Sequence, residues 1–398
     1  MKLVKPDGSG ASMKSPNLFK IQEFKLPLHT KFYLSVNLNN TKSTEEINTL
    51  YKELIDFIRE HKIQPVYEKV FGNLVFRDQF LSFRTRLLKS TNLKEPPLVY
   101  IEGKPVSGVP ISSILVYGVL AADNAIKIDY YHDPQNDNCI GTILQTPKTR
   151  SLHLHGVRVL RPGILTPIQE FKSVYQSLNK YIQENDFSPA DILRTWIYLK
   201  NIYKTYGDFN TARREFFQEN KIEFAGDSQE LPASTCIGGK SSDQSEMTMN
   251  LICMDKKLAS GKIRRLFNKY QNEAEGSQYL FKPTFSRALL IEDENLMELQ
   301  VSGTASINEF GDTVYLNDAY QQIKKTLINV AALLEQAGMN FNDFTESTCF
   351  FKKEEYYHDF LVAMKELNIG EFTNTFVIGD ICRDNLLFEL DGIAIKYR

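Results

Sequence analysis

One order of elements, ββαβαββ, is written three times along the 398 residues, and no single motif restricts the fold as much. In the first pass, LFKIQEFKLPLHTKFYLSVNL gives two strands. A helix capped by Ser43 and Glu46 follows, with an apolar stripe at Ile47, Leu50, Leu54 and Phe57. PVYEKVFG is a strand, FRDQFLSFRTRLLKS a helix and PPLVYIEGKPVSGVPISSILVYGVL a closing hairpin. The second pass starts near Cys139. Its first helix has a capping box at Thr166 and Gln169, Pro167 at the first helical position and a stripe at Phe171, Val174, Leu178 and Ile182. ADILRTWIYLKNI, FNTARREFFQEN and LPASTCIGGKSSDQSEMTMNLICM complete it. In the third pass the cap is Asp318 with Gln321 and the stripe is Ile323, Leu327, Val330 and Leu334, with Gly338 as the stop. NDFTESTCFFKK, YYHDFLVAMKEL and TNTFVIGDICRDNLLFELDGIAI follow in the same order.

A unit of this size cannot bury both faces of its sheet, so the three sheets are expected to pack together with the helices outside. The fold class is α+β, a pseudo-trimer in one chain. The division reads as a leader or disordered tail over 1–17, then units at 18–135, 136–258 and 259–398, with a charged connector near 255–277. The first stretch, MKLVKPDGSGASMKSPN, has no apolar core of the kind a signal peptide needs. A chain carrying its own trimer is expected to be a monomer, with ligand clefts where one unit's sheet edge meets the next.

Composition removes several classes. With 47 Lys and Arg against 49 Asp and Glu, the net charge of -2 gives no reason to expect nucleic acid or an anionic membrane as a partner. No apolar run approaches the ~20 residues that span a bilayer. The five cysteines are scattered without CxxC spacing, which points to a reducing, cytoplasmic compartment and to no zinc site. His153 and His155 share one strand face at i, i+2, yet no third ligand accompanies them, and no metal is expected. GxGxxG, GxxxxGKS/T and HExxH are absent, so dinucleotide, P-loop and metalloprotease readings have no support.

The last strand pair, VIGDICRDNLLFELDGIAI from Val377 to Ile395, holds the main chemical candidate. Alternation puts Leu387, Glu389 and Asp391 on one face, which is two-thirds acidic. Either that face meets water, or Glu389 is a buried carboxylate with a raised pKa and a task. Cys382 and Arg383 lie just upstream.

The ββαβαββ unit together with SGTASI and ADILRTWIYL resembles the YjgF/Rid superfamily of chorismate mutase-like trimers, whose sites lie at subunit seams. The likeness covers Gly141 to Arg398, and the first unit is degenerate. Typical deaminases of that superfamily grip a carboxylate with an arginine after Pro-Ala. Here the phrase is PAST, with Ser234 at that position, and the third unit has TNTF. RTWIYL, YGDFNTARREFF, LPASTCIGG, FSRA, SGTASI and CRDNLLFEL in combination resemble the chorismatases, which remove pyruvate from chorismate without a cofactor. The resemblance implies Glu389 as the catalytic acid. It also implies that a cysteine at 382 goes with hydroxybenzoate formation.

Chorismate is a dianion, and guanidinium is the best match to a carboxylate. Arg194, Arg287 and Arg383 are the candidates. For Arg194 and Arg287 ligand contact and a structural ion pair stay open, and Arg383 has Asp380 and Asp384 as alternative partners. Ala288 of FSRA with Gly303 and Thr304 of SGTASI completes the implied substrate-binding set. Arg213 and Arg214, on an amphipathic helix, read as solvated. The expected reaction is cofactor-free cleavage of chorismate to pyruvate and 3-hydroxybenzoate. Hydrolysis to a dihydroxycyclohexadienoate is the alternative, because Ala288 stands where aromatising members carry glycine. An imine deaminase and a non-catalytic carboxylate-binding scaffold are the remaining readings.

Overall fold

A computed structural model describes residues 19–39, 41, 43–108, 110–122, 125–134, 137–159, 163–223, 231–257, 262–268, 270–271 and 283–398. The leader expected over 1–17 lies outside them. The first unit comprises β1 (Phe19–Lys25), β2 (His29–Asn37), α1 (Thr44–Glu60), β3 (Gln64–Gly72), α2 (Arg77–Thr91), β4 (Leu98–Glu102) and β5 (Ile111–Ala121). The second comprises β6 (Lys127–His132), β7 (Cys139–Gln145), β8 (Arg150–Val157), α3 (Pro167–Glu184), β9 (Ile192–Leu199), α4 (Ile202–Glu219), β10 (Ala233–Gly238) and β11 (Met247–Met254). The third comprises β12 (Lys262–Leu266), β13 (Ala288–Glu292), β14 (Leu296–Ala305), α5 (Ala319–Gln336), β15 (Phe344–Phe351), α6 (Tyr356–Glu366), β16 (Thr375–Ile378) and β17 (Phe388–Tyr397).

The caps form as the sequence predicts. Ser43 accepts from the Glu46 amide, Thr166 and Gln169 close a capping box, and Asp318 accepts from the Gln321 amide. Beyond α5, Gly338 takes φ +66°, the left-handed conformation that glycine adopts without penalty.

The strand order is β1-β2-β5-β3-β4 in the first sheet, β10-β9-β11-β8-β7-β6 in the second and β12-β13-β14-β17-β15-β16 in the third. The closing hairpins are thus corrected. In each unit the strand that follows the second helix pairs parallel with the middle strand, and the last strand lies on the middle strand's other side. The helix before it explains this, because a helical crossover returns the chain to the same end of the sheet and leaves the next strand parallel. Two further strands appear. β6 pairs with β7, so the second sheet begins ahead of residue 136, and β12 from the charged connector pairs with β13.

Each sheet covers one face with its own two helices. Ile323, Leu327, Val330 and Leu334 of α5 are completely buried there, each burial stabilising by about 1.5–3 kcal/mol. The other faces of all three sheets meet in a shared central core. At its centre the ring of Phe71 lies 5.9 Å from Tyr198 and 5.8 Å from Phe350, one residue from the middle strand of each unit. The three therefore mark a pseudo-threefold axis. Next to them Lys69 is paired with Glu346 at 2.6 Å, both buried, and Lys69 Nζ lies 4.1 Å over the Trp196 ring. Among the described residues no helix is long and apolar enough to cross a membrane.

Candidate active site

On β17 the side chains of Phe388, Leu390 and Ala394 enter the helix-side core, whereas Ile393 and Ile395 belong to the central one. Alternation puts Glu389 and Asp391 with the latter, so the acidic face turns inward. Glu389 is 4% exposed and Asp391 2%. The solvent-facing alternative is thereby removed.

What meets this face is the edge of the second unit. Ala233 of β10 bridges Ser286 of the third unit, and the Gly303 amide donates to Thr235 Oγ1 at 3.0 Å. Asp391 Oδ2 accepts from Arg194 Nη2 at 2.9 Å, Trp196 Nε1 at 3.0 Å and Thr235 Oγ1 at 2.7 Å. Arg194 is fully buried, with its guanidinium 4.5 Å over Trp196, so the ion-pair reading of Arg194 is the one observed. Its Nε and Nη1 atoms have no hydrogen-bond partner among the described residues.

Glu389 has no hydrogen-bond partner among the described residues. Burial, and then the charge of Asp391, push its pKa up from 4.5 to about 8, against the opposing pull of Arg194 and Arg287. A carboxyl at neutral pH is therefore mostly protonated here. Gly303 allows this placement, since a Cβ at 303 would lie 2.0 Å from Glu389 Oε1. Across the strand registers Phe71 faces Ser113, Tyr198 faces Thr248 and Phe350 faces Glu389. Of three quasi-equivalent seam positions, one carries an acid.

Cys382 sits beside this group. Burial foremost, then the Glu389 charge, push its thiol up to about 12, against a smaller opposing effect of the nearby Tyr206 hydroxyl. The sulfur is a protonated thiol at neutral pH. Burial likewise pushes Tyr206 up, with Cys382 the next contributor.

Two further cations lie near one ring. Arg287 lies 5.2 Å from the Phe285 ring and Arg213 5.6 Å from it, and both arginines are buried. Arg213 is a correction: read as solvated, it is packed over Phe209 at 4.9 Å, donates to Asn210 Oδ1 at 2.6 Å and has no partner for Nε among the described residues. The signal was present, because Phe209 and Arg213 are four residues apart on one face of α4. Arg383 takes neither expected acid partner. It is exposed and donates to the Gly311 carbonyl at 2.8 Å, while Asp380 accepts from Tyr203 and Asp384 is paired with Lys352. Ala288 is in the helix-side core, and Thr304 donates to the Ser302 carbonyl at 2.9 Å. Glu389, Cys382, Arg194, Arg287 and Gly303 are brought together. Ala288 is not, and Arg383 reaches the group only through its charge on Cys382. Thr235 and Tyr206, which the sequence did not single out, join them, as do Asp391 of the acidic face and Arg213.

His153 and His155 are buried and uncharged, with burial lowering the pKa of His153 to about 3 and that of His155 well below its ordinary value. Among the described residues no three His, Cys, Asp or Glu side chains converge in a metal-binding group.

No family model and no curated protein sequence matches the chain. Among solved structures, a chorismatase superposes with a TM-score of 0.59 at 14% identity over 93% of this chain and 100% of its own. The YjgF gene product of E. coli aligns at 19% identity over 33% of this chain and 98% of its own, TM-score 0.26. A putative endoribonuclease L-PSP from Entamoeba histolytica aligns at 18% identity over 33% and 98%, TM-score 0.27. The protein is thus of the α+β class built from three repeated units about a pseudo-threefold axis. Its particular fold is that of the chorismatase structure, with three repeated units in one polypeptide.

Proposed function

We propose that this protein cleaves chorismate to pyruvate and 3-hydroxybenzoate without a cofactor, with Glu389 as the acid. The observation that carries the reading is a buried carboxyl with a pKa of about 8, placed at a seam beside buried arginines and with no hydrogen bond to hold its proton elsewhere. Such an acid is protonated near neutral pH and is matched to general-acid work.

Chorismate's enol ether takes a proton at its methylene carbon. Glu389 supplies it, and the resulting oxocarbenium ion is captured by oxygen and collapses to pyruvate. Glu389, now a carboxylate, is held by Arg194 and Arg287, whose charges favour its ionised form. Arg287 and Arg213, both beside Phe285, suit the two substrate carboxylates. Chorismate's atoms divide between pyruvate and hydroxybenzoate with no water gained or lost, whereas the diol consumes one. Aromatisation also needs a second proton movement, and the protonated thiol of Cys382, next to Glu389 and Tyr206, is the group we assign to it. Ala288 faces away from the seam, so the substitution there carries no weight for the diol. Ser234 is bonded to Thr195 and to Ser302, and the deaminase's guanidinium has no counterpart at that position.

The test is incubation with chorismate alone, with chromatography of the products against Glu389→Gln. Pyruvate and hydroxybenzoate in equal amounts are expected. Chorismate persisting beyond its spontaneous decay, or a variant equal to wild type, overturns the proposal, and a diol in place of hydroxybenzoate overturns the product.

A further inference from the structure

A cavity of about 300 Å³ reaches into the central core away from the Glu389 seam. Its size is at the lower end of the ~300–1,000 Å³ range of small-molecule pockets. All three units supply walls, among them Leu26, Leu144, Ile291 and Leu296.

The polar groups there are ordered by the pseudo-symmetry. Tyr33 faces Tyr117, His153 faces Ile252 and Gln300 faces Ile393 across equivalent strand pairs. A phenol, an imidazole and an amide thus stand at three quasi-equivalent positions, and all three line the cavity. The Tyr33 and Tyr117 hydroxyls have no hydrogen-bond partner among the described residues, and beneath the wall His153 Nδ1 and Gln300 Oε1 are buried without a partner among them. Two phenol hydroxyls without partners on one cavity point to a ligand that pairs them.

The charges decide its class. Of the two lysines on the lining, half-buried Lys31 is paired with Glu298 at 2.9 Å and exposed Lys148 with Glu294 at 2.7 Å, and Glu298 also accepts from Gln300 Nε2 at 2.8 Å. His153 is held neutral by burial. An anion would meet Glu298 with no cation left to compensate. The rings of Tyr33 and Tyr117 stack at 4.8 Å, and His153 lies 5.8 Å from Tyr117, giving flat walls for an aromatic guest. We propose that this axial cavity binds an uncharged aromatic molecule of one ring or a fused pair, carrying hydroxyl or amide groups.

3-Hydroxybenzamide and 3-hydroxybenzoate are suitable probes, because they have nearly the same shape and differ in charge. Binding to the full chain is followed by ligand-observed NMR and calorimetry in a Gly303→Ala background, which obstructs the seam. The amide is expected to bind at least tenfold more tightly than the carboxylate. Leu144→Trp, which fills the cavity, should weaken the amide at least tenfold, and Tyr33→Phe, which removes only a hydroxyl, severalfold. Should Leu144→Trp fail to fold, Ile252→Phe replaces it. No binding of the amide, equal binding of the carboxylate, or amide binding indifferent to the cavity variants overturns the proposal, whether or not chorismate is turned over.

Discussion

Replacing Gly303 with alanine isolates the geometry of the acid from the stability of the fold. The added Cβ would lie 2.0 Å from Glu389 Oε1, 2.9 Å from its Cδ and 3.2 Å from Thr235 Cγ2. Carbon and oxygen do not approach within about 3 Å, so the carboxyl must retreat by roughly 1 Å. It is the end of a flexible side chain, and a rotamer change costs only about 0.5–1.5 kcal/mol. A displacement of ~1 Å at a reacting group lowers rate by about 100-fold, equivalent to roughly 2.7 kcal/mol of transition-state stabilisation. The expected outcome is therefore a Tm within a few degrees of wild type and kcat/KM for chorismate reduced about 100-fold, read by coupling pyruvate release to lactate dehydrogenase. Combining the change with Glu389→Asp, whose carboxyl stops one methylene short of the collision, should recover part of the loss relative to Gly303→Ala alone. Activity within threefold of wild type would refute the placement of Glu389 at the reacting centre.

With Glu389 as the proposed acid, kcat/KM should fall about tenfold per pH unit above pH ~8 and level off below it; a profile flat to pH 10 contradicts the assignment. Because the folded pKa lies above the ordinary 4.5, the native state binds the extra proton, and wild type loses stability as pH rises from 4.5 through 8. Glu389→Gln lacks this dependence and should gain in urea resistance relative to wild type at pH 9 but not at pH 4. Cys382→Ala should retain pyruvate release while shifting product from hydroxybenzoate to the diol, as chromatography would show. Lys69→Met leaves Glu346 buried and unpaired and should destabilise by about 3–5 kcal/mol in urea unfolding, much of it restored by adding Glu346→Leu.

Local signals were enough for the elements and for the repeat. The capped amphipathic helices can be read from periods and end residues, because these depend on neighbours three or four positions away. Three copies of an under-buried unit then imply three packed sheets. The pairing of the last strands was not legible, since sequence order shows adjacency in the chain and the crossover helix decides adjacency in the sheet.

The site divides along the same line. Alternation along β17 put Glu389 and Asp391 on one face, and the chorismatase-like phrases singled out Glu389. Period two fixes which residues share a face but not whether water or protein covers it. That was decided by contacts such as Arg194 to Asp391, 197 residues apart in the chain. The same long-range packing turned Arg213 inward, sent Ala288 to the opposite side of its sheet and tied Arg383 to a loop. The chain by itself determined three units and a carboxylate within an apolar run. Only the closing of the units around one axis buried that carboxylate, and burial is the main cause of its raised pKa.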